Sequence, residues 1–231
     1  EGGVTEASGG GLYCAQNSQC VIDRSYFGNN SSQNAGGAIT AQQASLSLTN
    51  TTLYGNESAI GGGIFQYAES SARTLSLVNN TFKHNTTLSI GYGRQGGHLM
   101  VNGAPTVNRF ANNAFAEVRD AGTACYFFSS ALQFAGDGFN RTIDSSCANL
   151  MQSSSNALLA PADFGLGTPL FSGYIETIIP QRQSALINAG SPSDVAGSSP
   201  DRCPAIDARN TPRPHVGFFG GELRCDVRSE E

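Results

Sequence analysis

The chain has 231 residues, a formal net charge of −5, only 13% charged residues, 28 glycines, one lysine and no tryptophan. That length fits one domain with a sizeable core, and the sparse, net-negative charge excludes nucleic acid and anionic membranes as electrostatic partners. Composition also favours β structure with many turns over a helical fold: exposed helix turns need charged helix formers, of which the chain is short, whereas Gly, Asn, Ser and Thr suit turns and strands.

A repeat runs through the first half. Gly-Gly followed by an aliphatic residue begins GGGLYC at 9, GGAITA at 36, GGGIFQ at 61 and GGHLMV at 96. Between these runs comes an apolar residue, two variable residues and Asn: FGNN at 27, LYGN at 53, FKHN at 82 and FANN at 110. The first residues of this second element lie 26, 29 and 28 positions apart.

Each unit is predicted to hold short strands separated by corners. Ahead of the second element, Cys20 and Ile22, Leu46 and Leu48, then Leu75 and Leu77 alternate with Val21, Ser47 and Ser76, the period of a strand with one buried face. After each Gly-Gly the inward set is Leu12, Ile39, Ile64 and Leu99. The glycine pairs are read as corners needing positive φ or close approach between coils. They fit no phosphate-binding pattern.

One such unit cannot bury its apolar face alone and must stack on its neighbours. Stacking is expected to place Phe27, Leu53, Phe82 and Phe110 in one core column. It should place Asn30, Asn56, Asn85 and Asn113 in an amide ladder, at roughly 4.8 Å per coil. The expected fold is all-β, a right-handed parallel β-helix, with coils over 1–150 and a C-terminal continuation or cap over 151–231. In this reading Lys83 and His84 are not a catalytic pair: they fill the two variable slots of FKHN and face solvent at a corner, while Phe82 and Asn85 build the scaffold.

GGAI at 36–39 with FGNN, FKHN and FANN resembles the polymorphic outer membrane protein repeat of bacterial surface and autotransporter passenger proteins; LYGN and GGHL depart at one position each. Beyond residue 160, where eight of the nine prolines lie, the repeat stops. There SALINAGSP (184–192), CPAIDARNTPRP (203–214) and CDV (225–227) resemble a choice-of-anchor Q domain, departing from it at Asn210-Thr211 and in the closing RSEE. The two resemblances imply a secreted, surface-attached β-helix protein whose anchor lies outside this chain. They imply nothing about catalysis. The opening EGGVTE, which enters mid-pattern, is expected to have followed further residues in a precursor.

Six cysteines without a CxxC pair, in a chain with three histidines, point to disulfides in an oxidising compartment and away from zinc. Fifteen pairings are possible. Spacing favours Cys14 with Cys20 across a corner, and Cys125 with Cys147 and Cys203 with Cys225, each about one coil apart. No segment is long and apolar enough to span a membrane as a helix.

Groups suited to catalysis are few. Asp137, Arg141 and Asp144 form the one conceivable carboxylate cluster, in GDGFNRTID, where a Gly-Asp-Gly turn and a solvated loop are the favoured reading. His84, His98 and His215 share no metal-ligand spacing, so neither cofactor nor metal is expected. Asn-x-Ser/Thr sequons begin at Asn29, Asn30, Asn50, Asn56, Asn79, Asn85 and Asn140. Those in the ladder should be buried. The leading expectation is a non-catalytic extracellular or cell-surface module, adhesin or stalk, with an unknown surface, matrix or glycan ligand. The rivals are a self-associating fibre subunit, joined through the coil ends, and a polysaccharide lyase or hydrolase.

Overall fold

A computed structural model describes residues 2–5, 7–88, 93–128, 138–150, 153–191 and 205–212. After β1 (Val4–Thr5), the first coil comprises β2 (Leu12–Cys14), β3 (Gln19–Asp23), β4 (Tyr26–Gly28) and β5 (Ser31–Ala35). The second comprises β6 (Ile39–Gln42), β7 (Ser45–Thr49), β8 (Thr52–Tyr54) and β9 (Glu57–Ile60). The third comprises β10 (Ile64–Ala68), β11 (Thr74–Val78), β12 (Thr81–Lys83) and β13 (Thr86–Thr87). The fourth holds β14 (Leu99–Gly103), β15 (Thr106–Ala111) and β16 (Ala114–Phe115), and β17 (Cys125–Phe127), β18 (Arg141–Thr142) and β19 (Ala157–Leu158) continue the stack.

Every pairing among these strands is parallel, between one coil and the next. Four sheets line the solenoid: the first is β2-β6-β10-β14-β17, the second β3-β7-β11-β15, the third β4-β8-β12-β16-β18-β19, and the fourth β1-β5-β9-β13. The molecule is thus a β-helix-like solenoid of stacked parallel strands.

The core follows the predicted alternation. Leu12, Ile39, Ile64, Leu99 and Cys125 form one inward column. Cys20, Leu46, Leu75 and Val107 form a second. At the first coil Leu12, Cys20, Ile22 and Phe27 are only partly buried, whereas Ile39, Leu46, Leu48 and Leu53 one coil on are fully enclosed.

Corners are built from left-handed residues in columns. The first glycine of each pair has positive φ (Gly9 77°, Gly36 64°, Gly61 65°, Gly96 71°). The second glycine answers to close approach: a Cβ on Gly37 would lie 2.2 Å from the Gly62 carbonyl oxygen. At the corner between the second and third sheets, Arg24, Asn50, Asn79, Asn112 and Phe139 all have positive φ, a conformation Asn tolerates better than most residues.

Two positions differ from the sequence reading. Phe110 pairs with Leu77 and so belongs to the column Ile22, Leu48, Leu77. The column of Phe27, Leu53 and Phe82 continues instead at Phe115, with the Phe82 and Phe115 rings stacked at 4.5 Å. Asn113 moves with Phe110. It bonds Asn80 and Asn140, and lies outside the ladder of Asn30, Asn56 and Asn85. The reason is a motif shared by two corners: LVNN (77–80) has the same grammar as FANN (110–113), so FANN fits either column. The true step from Asn80 to Asn113 is 33 residues.

There are therefore two amide ladders. In one, Asn30 Nδ2 donates to Asn56 Oδ1 (2.8 Å) and Asn56 Nδ2 to Asn85 Oδ1 (2.8 Å). In the other, Asn80 donates to Asn113 (3.0 Å), Asn113 to Asn140 (2.9 Å) and Asn140 to Asn156 (3.0 Å). Each acceptor oxygen also takes the backbone N–H of the preceding coil's corner, as Asn56 Oδ1 does from Asn30. Buried amides are tolerable because these bonds satisfy them.

After β19, no described strand joins the stacked sheets; the chain turns back along the outside. The short α1 (Pro161–Phe164) and the antiparallel pair β20 (Leu170–Phe171) and β21 (Glu176–Thr177) belong to this return. Phe164, Leu166, Ile178 and Leu186 pack with Ala114 and Ala116 on the outer face of the third sheet, forming a second apolar core. Described residues farther along meet three coils of the stack. Asn112 Oδ1 accepts the Ser191 N–H (3.1 Å), Asn50 donates to the Ile206 carbonyl (3.1 Å), and Arg24 donates to Asn210 (3.0 Å).

Candidate binding face

The outer face of the first sheet is set by the same alternation that fills its core. Register places Gln42, Tyr67 and Asn102 side by side on successive strands, and Phe128, whose N–H donates to the Val101 carbonyl, follows β17. The row thus alternates amide, aromatic, amide, aromatic, with roughly 10 Å between the aromatic positions, two strand spacings. In the neighbouring row of the same face, Tyr13 (50% exposed) and Tyr126 stand at the two ends, while Thr40, Phe65 and Met100 between them are buried, the last two in an apolar cluster against which Tyr67 and Tyr126 also pack; Phe128 is 42% exposed and meets Tyr126 edge-on at 4.9 Å. The Tyr67 hydroxyl donates to Glu69 Oε1 at 2.5 Å. That hydrogen bond, foremost, raises the phenol's pKa. Such a surface offers flat rings for stacking and side-chain amides for hydrogen bonds. Sequence reasoning missed it because the aromatics are spread over residues 13 to 128 and meet only through register.

Arg141 and Asp144, singled out for chemistry, have structural tasks. Arg141 donates to the carbonyls of Asn140 (3.1 Å), Ser155 (2.8 Å) and Ala189 (2.9 Å), tying the returning segment to β18. Burial lowers the pKa of its guanidinium. Asp144 accepts the N–H groups of Ala124 (2.9 Å) and Ser146 (2.9 Å), the latter in the 3₁₀ turn Ser145–Leu150. Asp137 lies outside the described residues. No group of three or more potential metal-binding side chains occurs among the described residues.

Lys83 is where the expectation fails most plainly. It is 6% exposed, donates to the carbonyls of Leu166 and Gly167, and faces Glu117 Oε2 at 3.7 Å. The return segment covers this face of β12, a tertiary event that no local pattern announces. His84 does sit at a corner, half-buried, with φ of 55° and its ring 5.4 Å from that of Tyr54. Burial and the Lys83 charge lower its pKa.

Cys14 is bonded to Cys20, with a Cα separation of 6.2 Å, and Cys125 to Cys147, at 5.0 Å. Cys203 and Cys225 lie outside the described residues. No described helix is long and apolar enough to cross a membrane.

No family model matches the chain, and no solved structure matches it. A stretch of 82 residues is 32% identical to part of a metabotropic glutamate receptor-like protein R from Dictyostelium discoideum. The match covers 35% of this chain and 5% of that protein.

Proposed function

We propose that this chain is a non-catalytic, extracellular or cell-surface binding module that takes an extended glycan across the outer face of the first sheet. The observation that carries this reading is the row Gln42, Tyr67, Asn102 and Phe128, with Tyr13 and Tyr126 at the two ends of the neighbouring row. Stacked rings and amides recognise sugar faces and hydroxyls without needing charge, which suits a chain so poor in it. Two disulfides among the described residues support an oxidising compartment. The partial likeness to a receptor-like protein agrees with a surface location. A right-handed coil, descent from the polymorphic outer membrane protein repeat and a choice-of-anchor Q-like tail belong to the same proposal. The engagement of Arg141 and Asp144 in structural bonds weighs against a polysaccharide lyase or hydrolase.

A glycan array tests the reading. Binding to one or more neutral glycans is expected, with about tenfold loss in Tyr67→Ala or Phe128→Ala, the effect of removing one anchor of about 1.4 kcal/mol. Binding that ignores both substitutions, or none to any glycan or matrix polymer, counts against it. Release of reducing ends from pectin, alginate or carrageenan would restore the enzyme reading.

A second reading, the self-associating fibre, is favoured by the partly buried inward residues Leu12, Cys20, Ile22 and Phe27 of the first coil. Light scattering at rising concentration distinguishes monomer from filament.

A further inference from the structure

We infer that Asn29 is the acceptor for a single N-linked glycan, and that it is the only one of the seven sequons the fold leaves compatible with one. The inference is independent of the binding face. Asn30, Asn50, Asn56, Asn79, Asn85 and Asn140 are all buried, at 3% exposure or less. In most of them the amide nitrogen is already committed. Asn56 Nδ2 donates to the Phe27 carbonyl (2.9 Å) and to Asn85 (2.8 Å). Asn85 Nδ2 donates to the Leu53 carbonyl (2.9 Å) and His98 (3.1 Å). Asn140 Nδ2 donates to the Phe110 carbonyl (3.0 Å) and Asn156 (3.0 Å). Asn30 donates to Asn56, and Asn50 to the Ile206 carbonyl. A sugar on any of these nitrogens removes one of these bonds and forces a bulky polar group into a buried position.

Asn29 differs in its exposure. It is exposed, at the corner between the third and fourth sheets, with a left-handed backbone (φ 54°) and its N–H donated to the Tyr54 carbonyl (2.9 Å). Its side chain lies against Gly55, where a Cβ would come within 2.5 Å of Asn29 Oδ1, so the next coil leaves room for it. Ser31, which completes the sequon, is half-buried and opens β5. Going round the coil, this corner is not adjacent to the first sheet, so a glycan here leaves the aromatic row clear.

The donor is a polyprenyl-diphosphate-linked oligosaccharide. The Asn29 nitrogen bonds to the anomeric carbon, the bond from that carbon to the diphosphate oxygen breaks, and the amide gives up one proton as the polyprenyl diphosphate leaves. A glycan added to a buried sequon of the nascent chain blocks coil closure, so those molecules drop out of the folded pool.

The full chain is secreted from a eukaryotic host, purified as the folded fraction, and treated with peptide N-glycosidase in ¹⁸O-water before peptide mass spectrometry. One labelled aspartate is expected, at position 29. Asn29→Gly, which keeps the positive φ, and Ser31→Ala, which breaks only this sequon, should each yield folded protein without glycan. Unmodified Asn29 in the folded wild-type pool, or sugar on any of the other six asparagines, overturns the inference.

Discussion

Asn85 Nδ2 lies 3.1 Å from His98 Nδ1, so the amide ladder of Asn30, Asn56 and Asn85 ends on an imidazole instead of a fourth asparagine. Because Asn85 can only donate through Nδ2, His98 Nδ1 accepts, and the ring proton sits on Nε2, which meets the Ala116 carbonyl at 2.8 Å. The neutral tautomer fits both neighbours, and a second ring proton would point at a donor. Burial, the largest cause, lowers the pKa of His98 from 6.5 to about 4.

The folded-state pKa is depressed, so between about pH 6.5 and 4 the unfolded chain binds the extra proton. The contribution of neutral His98 is complete above pH 6.5 and is lost as pH falls towards 4, about 3 kcal/mol in all at about 1.4 kcal/mol per unit. Urea unfolding at pH 7.5 and pH 4.5 should show this loss in wild type and a smaller one in His98→Gln. Equal acid sensitivity in the two proteins would refute the assignment.

The two ladders should be energetically separate. Asn56→Ala leaves buried donors and acceptors unpaired and is expected to cost about 3 kcal/mol or more, at about 1–3 kcal/mol per stranded group. In double-mutant cycles, Asn80→Ala and Asn113→Ala should couple, since their side chains are bonded at 3.0 Å. Asn85→Ala and Asn113→Ala should add independently. Coupling of the second pair would return Asn113 to the first ladder.

Lys83 joins the solenoid to the segment that returns over the third sheet. Lys83→Met strands the Leu166 and Gly167 carbonyls and leaves Glu117 facing no cation there. Each carbonyl left unpaired costs about 1–3 kcal/mol. Limited proteolysis should then cut within 160–190 sooner than in wild type, while the coils stay folded by circular dichroism. An unchanged cleavage pattern would mean that the apolar contacts of Phe164 and Leu186 hold the segment without it.

The Cys125–Cys147 bridge closes a 22-residue separation where the stack becomes irregular. Replacing both cysteines by alanine should lower stability by about 3 kcal/mol, as loop-closure entropy predicts for this length. Cys14–Cys20, with a separation of 6, should matter less. Chemical denaturation of the two double variants ranks them.

Much of this architecture is legible in the residues alone, because a stacked coil repeats its local rules. Period-two apolar residues at Leu46 and Leu48 or Leu75 and Leu77, glycine at left-handed corners, and asparagine three positions after an apolar residue each answer to forces within one coil and its neighbour. Where two corners share the same local rule, the sequence cannot choose between them. FANN satisfied both, and only the 33-residue step, set by how the fourth coil closes, placed Asn113 under Asn80 and Phe115 under Phe82. Long-range packing decided the rest. Lys83 became buried because a segment some 80 residues later lies over it, and the aromatic row exists because residues a coil apart share a register. The local chain encodes the rung; which rungs meet, and what covers them, is a matter of tertiary contact.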